Sequence, residues 1–325
     1  MTDPAPSGNL AVGVDIGATK LATVLVNPWG AVVRRERTTL EPLGTPATVV
    51  QEVARHLASL VGTDRLEVSS VGVGVAAQVR RTTGEVVFAP NLRWRDVPLG
   101  PMLSKELGRP VIVVNDVRAA TYAEWQFGAG AGARDLALVQ VGTGVGGGIV
   151  SGGQLLLGAS NTAGEVGHLT IVSGGRPCSC GGRGCLEAYV GGLALGTRAR
   201  EAYADEPSRG TGLRAAAGGT DHLDARAVGR AYRFHDPLSV DLVNETAEYL
   251  ASGIVSVVNA VNPEVVVLAG GVIDGIPELI PLVEHRVKAA ALAAATGGLR
   301  VVAGTLGEVA GAIGAAGLSR PGAPL

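Results

Sequence analysis

Apolar residues recur along the chain with two periods. LAVGVDI at 10–16 reads as a strand, and short runs that are apolar almost throughout, VSSVGVGV at 68–75, PVIVV at 110–114 and VVVLA at 265–269, read as strands of buried type. Around the first, LAVGVDIGATKLATVLVNPWGAVVRRERTTL predicts strand, glycine turn, strand, Pro-Trp-Gly turn and strand. TPATVVQEVARHLASLVG then changes to helical spacing, with Val50, Val53, Leu57 and Leu60 on one face, Thr45 as N-cap and Pro46 at the first helical position. TTGEVVFAPNLRWRDVPLG reads as a hairpin-like loop and a helix start, and the helical pattern from Val117 ends at a glycine. DLALVQVGTGVGGGIVSGGQLLLG repeats the opening design, VQVGTG standing where VDIGAT stood. Such an internal repeat predicts two related α/β lobes, each beginning with a β-meander. Helices follow at roughly 185–204, 223–235 and 237–260, then a last strand and an Ala/Gly-rich helix. The repeat sets the expected lobes at 1–117 plus about 305–325, and 118–304.

Composition narrows the class. Of 325 residues, 46% are hydrophobic and 17% charged, which supports packed cores and excludes a disordered chain. A formal net charge of -2 leaves no electrostatic footprint for nucleic acid. MTDPAPSGNL has neither the basic nor the apolar region of a leader, and the uncharged stretch at 136–164 is too rich in Gly and polar residues to span a membrane. A cytoplasmic protein is expected.

Gly142-Thr143-Gly144-Val145-Gly146-Gly147 matches G-x-G-x-x-G, but a strand follows it where a dinucleotide fold needs a helix, and no P-loop motif is present. Two readings remain: a hairpin that simply needs glycine, or a hairpin whose bare N–H groups face phosphate oxygens. A matching loop in the first repeat, Asp15, Gly17, Thr19 and Lys20, strengthens the second reading and offers Asp15 as a carboxylate for magnesium. Asn115-Asp116 ends one strand and begins a helix. Both are good N-caps, and an Asp at the carboxyl end of a sheet strand can also accept a hydroxyl proton. One residue could cap while the other works.

All three cysteines fall within PCSCGGRGCLE. Cys178, Cys180 and Cys185 supply three soft ligands and His168 a fourth, a closed structural zinc set, against the alternatives of a redox pair or unrelated buried thiols. Glu165 and Glu187 flank the cluster. They are either ordinary surface acids or, if metal pins both segments, fixed acceptors for a polyhydroxylated ligand. Asn91 in APNLRW is a similar polar candidate with a turn residue as its alternative. His56, His222 and His235 read as structural or surface residues, and Trp94 and Trp125 as packing.

GVDIGATK, VNDVRAA, VGTGVGGGIV, AGEVGH and CSCGGRGCLE together resemble the ROK family of sugar kinases and repressors, from about residue 10 to about 319. The resemblance is nearest to the bacterial ROK glucokinases of actinobacterial type. It implies an actin-like ATPase, hexokinase-type fold: two α/β lobes built on a duplicated ribonuclease H-like core, with ATP and sugar in the interlobe cleft. It implies Asp116 as general base, and Asn91, Asn115, Glu165, His168 and Glu187 on the sugar hydroxyls. Zinc would sit on His168, Cys178, Cys180 and Cys185. Asp15, Gly17, Thr19 and Lys20 would form one phosphate loop, Gly142, Thr143, Gly144 and Gly146 the other, and Gly270 and Gly271 would lie near the adenosine. ATP, magnesium and a homodimer or homotetramer complete the expectation.

Gln78 stands where relatives carry glycine, and Arg80 near their usual Asp, which leaves the choice of hexose open. N-acetylmannosamine, mannose, fructose and allose are the alternatives to glucose. A sugar-responsive repressor would carry a helix-turn-helix before the first strand, and nine residues precede Leu10, too few for one. Polyphosphate-using relatives generally lack the cysteine signature.

Overall fold

The computed structural model describes residues 9–40, 45–62 and 67–324; the segment MTDPAPSG, read above for a leader, lies outside them. Two compact units emerge. One takes the chain up to Gly132, Gln154–Ala163 and the chain from Thr305; the other takes Ala133–Gly153 and Gly164–Gly304.

The first unit holds a five-stranded sheet in the order Val32–Thr39, Lys20–Val26, Leu10–Ile16, Val68–Val75, Val111–Asn115. The first three form the predicted antiparallel meander, and the last two join in parallel. Leu10–Ile16 is central and covered on both sides, which explains its apolar run. On one face lies the helix Pro46–Val61, which begins as predicted: Thr45 accepts from the Thr48 N–H at 3.2 Å. It buries Val49, Val50, Val53 and Leu60. His56 is buried as well, its two ring nitrogens hydrogen-bonded to the hydroxyls of Thr23 and Thr38 at 2.8 and 2.7 Å.

The other face carries the wholly buried C-terminal helix Ala310–Leu318. Small residues let backbones touch there. A Cβ on Gly13 would lie 1.8 Å from the Ala312 carbonyl oxygen, and one on Gly314 1.7 Å from that of Ala119. Helix Asp116–Phe127 packs against this C-terminal helix. For that reason the first unit runs on through residue 127, past the boundary expected at 117.

Where a hairpin-like loop was expected, Gln78–Arg80, Glu85–Ala89 and Trp94–Val97 form a three-stranded antiparallel sheet, followed by helix Leu99–Leu107.

The second unit repeats the plan. Leu136–Val141 runs antiparallel to Val145–Ser151 and parallel to Val265–Ala269, which pairs in parallel with Arg300–Ala303. The helix expected at 185–204 is two, Glu187–Val190 and Gly192–Asp205. Gly191 breaks it in an extended conformation, where a Cβ would come 3.2 Å from the Gly144 Cα. Ala225–Tyr232 and Pro237–Val261 match expectation, whereas Thr211–Ala217 and Leu279–Ala290 were not foreseen. Leu186, Leu195, Leu250, Ile254 and Leu268 lie in one buried cluster of this unit. Among the described residues no helix is long and apolar enough to cross a membrane.

Candidate active site

Seven of the predicted site residues lie on the first unit. Asp15 is the penultimate residue of its strand, and the turn after it closes with the Gly17 N–H on the Lys20 carbonyl at 2.9 Å. Thr19 and Lys20 are exposed in that turn. A cavity of about 470 Å³ opens beside it, lined by Asp15, Lys20, Arg35, Arg37 and Glu308 among others. Glu36 also lines it, and Arg37 is paired with Glu308 at 2.6 Å, so cations and carboxylates alternate around the glycine turn, whose bare N–H groups suit an anionic ligand.

Asn115 takes the capping role that the sequence allowed either residue. Asn115 caps the helix, accepting from the Arg118 N–H at 2.9 Å and donating to the Ala77 carbonyl at 3.3 Å. Asp116 opens the helix, its Cα 3.4 Å from where a Cβ on Gly74 would sit. Burial and the charge of Asp116 push the Asp15 carboxyl up to about 7. Two carboxylates that repel one another in a half-buried setting are a donor set that a hard divalent cation stabilises. The fit to magnesium therefore holds on the chemistry of these groups.

Asn91 sits exposed in the short turn Pro90–Leu92. Gln78 and Arg80 border a second cavity of about 690 Å³, whose other wall is the segment Leu157–Thr162. Arg80 is held by Glu85 at 2.9 Å. Sequence spacing gave no sign of the strut that fixes this wall. The buried Arg118 donates to the Asn161 side chain at 2.7 Å and to its carbonyl at 3.0 Å, while Asn161 donates to the Val79 carbonyl at 2.9 Å.

The second unit carries the remaining candidates. Gly142, Thr143, Gly144 and Gly146 lie in or beside a tight turn in which the Gly142 N–H reaches the Gly144 carbonyl at 2.9 Å. Gly192 and Leu193 donate to the carbonyls of Gly142 and Thr143 at 2.9 and 3.1 Å, so the following helix starts on the turn. Gly270 packs on the same strand end: with φ of +97°, its Cβ would meet the Val141 carbonyl oxygen at 2.6 Å. Gly271 begins the helix Gly271–Gly275.

His168, Cys178, Cys180 and Cys185 converge, their ligand atoms all within 4.8 Å of one another. Cys178 Sγ stands 3.8 Å from His168 Nδ1, and the Cys180 and Cys185 sulfurs are 3.8 Å apart. Burial pushes the Cys185 thiol up to about 12 and raises that of Cys178, whereas the Gly182 N–H lowers that of Cys180. Three thiols and one imidazole, crowded and partly buried, are the donor chemistry of a closed zinc site. Glu165 is exposed at the start of the turn Val166–His168. Glu187 is not an idle surface acid: Oε2 accepts from the Val145 N–H at 2.9 Å and Oε1 from the Ser179 hydroxyl at 2.8 Å. Ser179 escaped the sequence reading, and its place between two cysteines was the only signal.

This fold and these sites define a class. The ROK family matches residues 11–321, and the chain belongs to that family. It is 34% identical over 323 residues to a glucokinase from Streptomyces coelicolor, covering 97% of this chain and 99% of that one. A solved ROK family glucokinase from Streptomyces griseus, in complex with glucose and AMPPNP, superposes with a TM-score of 0.82 at 33% identity, covering 97% of this chain and all of the other. A xylose repressor from Bacillus subtilis is 24% identical over 306 residues, spanning 94% of this chain but 75% of the repressor. The expected fold holds: each unit carries the meander with parallel additions of the actin-like, hexokinase-type architecture.

Proposed function

We propose that the protein is an ATP-dependent hexose kinase that converts glucose to glucose 6-phosphate. The observation that carries this reading is Asp116, a carboxylate at the end of a parallel strand, beside a capping Asn115 and near enough to Asp15 to raise its pKa to about 7. Its support from relatives is near-full-length identity of 32–34% to several glucokinases.

In this reading Asp116 accepts the proton of the sugar's 6-hydroxyl as that oxygen attacks the γ-phosphate in line. Asn91, Asn115, Glu165, His168 and Glu187 bind and orient the hexose. Backbone N–H groups of the loops at Gly17–Lys20 and Gly142–Gly146 and the Lys20 ammonium offset the phosphate charge, and Gly270 and Gly271 flank the adenosine. Asp15 would hold magnesium, which when bound neutralises phosphate charge and the raised repulsion at Asp15, and leaves Asp116 free as the base. His168, Cys178, Cys180 and Cys185 would hold zinc, which when bound fixes the loop carrying Glu187. We further propose a cytoplasmic homodimer or homotetramer.

An ADP-release assay across glucose, mannose, fructose, allose and N-acetylmannosamine tests the reading. Glucose should give the highest kcat/KM. No sugar-dependent ADP release from any of them would end the kinase assignment. A different winner would move the assignment to another hexose and direct attention to Gln78, which Gln78→Gly should then shift back toward glucose.

A further inference from the structure

The second glycine turn carries a charge of its own. Glu187 lies 42 residues from Val145 in sequence, yet its Oε2 accepts from the Val145 N–H at 2.9 Å. A Cβ on Gly144 would lie 2.2 Å from that same oxygen, so a bare backbone at 144 is what lets the carboxylate in. The other oxygen is tethered to Ser179, inside the cysteine loop, at 2.8 Å. One side chain thus bridges the loop of the Cys3His cluster and the turn whose N–H groups would face phosphate oxygens. It also sets a negative charge where a polyphosphate has to approach, and like charges at such range repel.

We propose that Glu187 couples the two substrates, so that nucleotide binds tightly only once hexose is present. In the sugar-free enzyme Glu187 occupies the Val145 N–H and repels the phosphates. Hexose hydroxyls donating to the carboxylate compete with Val145 for Oε2, spread its charge over new hydrogen bonds and release the N–H to the nucleotide. The effect is reciprocal: phosphate at the turn raises hexose affinity by the same factor. Wasteful hydrolysis of ATP is limited because the sugar-free enzyme binds ATP weakly. The inference rests on the reading of Glu187 as a hexose ligand.

Calorimetry on the full-length protein separates the two ideas. Binding of AMPPNP with magnesium is measured with and without saturating glucose, and glucose binding alone. Wild type should bind AMPPNP more tightly with glucose by about 5- to 150-fold, the usual span of coupling between sites. Glu187→Gln keeps the length of the side chain and removes its charge. It should bind AMPPNP alone more tightly than wild type, bind glucose more weakly, and bring the coupling ratio close to one. Ser179→Ala, which touches neither substrate in this reading, should give an intermediate ratio, with zinc content and Tm showing that the loop is intact. AMPPNP binding that is unchanged or weaker in Glu187→Gln, or a wild-type ratio near one, overturns the coupling. Unchanged glucose affinity in Glu187→Gln overturns instead the assignment of Glu187 to the sugar.

Discussion

The two glycine turns share a backbone plan and differ in where their charge comes from. Each follows a central strand, Leu10–Ile16 or Leu136–Val141, and returns antiparallel. In the first, the acid is within the strand itself: Asp15, which pairs with Ala22. The matching residue in the second is the neutral Gln140, which pairs with Gly146. There the acid is Glu187, delivered from a distant helix start. Duplication preserved hydrogen-bonded geometry, because strand pairing constrains the backbone tightly. It did not preserve charge, because a carboxylate can reach the same kind of turn from anywhere in the fold.

The largest expected effect lies on the side of the first turn. Asp116→Asn should lower kcat by about 10²–10⁴-fold while AMPPNP binding stays within error of wild type; turnover near normal would remove Asp116 as the base. Asp15→Asn should cost about 10–100-fold in kcat, whereas Gln140→Leu leaves kcat near wild type. Equal losses at the two positions would break the asymmetry between the turns. The same Asp15→Asn change relieves repulsion with Asp116, so at pH 8 without ligands its Tm should rise by about 2–4 °C.

On the second side, Cys180→Ser should weaken glucose binding by about 10–100-fold and AMPPNP binding measured without glucose much less. Elemental analysis of the purified protein should find about one zinc per chain. A fully active, metal-free protein would detach the cysteine loop from the second turn's chemistry.

The smallest effect belongs to His56, which neither turn uses. Burial lowers its pKa below 6.5, and Arg55 acts in the same direction, while Glu36 and Glu52 partly oppose the shift. A folded value below the unfolded one means that the unfolded chain takes up the proton first. The neutral ring's contribution is thus complete above about pH 6.5 and is lost as pH falls through and below that value. Wild-type Tm should drop more steeply between pH 7 and pH 5 than that of His56→Gln, and parallel curves would refute this.

Much of the fold was legible because it is local. Thr45-Pro46 starts a helix by capping chemistry that extends over only a few residues. The meanders follow from alternating glycine turns and runs that suit double burial. The boundary expected at 117 was drawn from the repeat alone, whereas the first compact unit also takes in Asp116–Phe127. Whether Asp116–Phe127 belongs to the first unit depends on Gly314 lying against Ala119, a contact between residues almost two hundred apart. Helix 185–204 was read as continuous because nothing near Gly191 announces that the Gly144 backbone passes so close.

The residue types of the candidate site and their grouping are already present in the linear chain. Asp15 with Lys20, Asn115 with Asp116, and three cysteines with His168 are close in the chain, and chemistry at short range needs little else. Tertiary structure alone decided what those groups do to one another. Packing brings Asp15 and Asp116 near enough to shift a carboxyl, locks Asn161 onto Arg118, and lays Glu187 on Val145. The reason is physical: covalent neighbours set a group's identity and local hydrogen bonding, whereas burial and through-space charge depend on segments that only folding brings together.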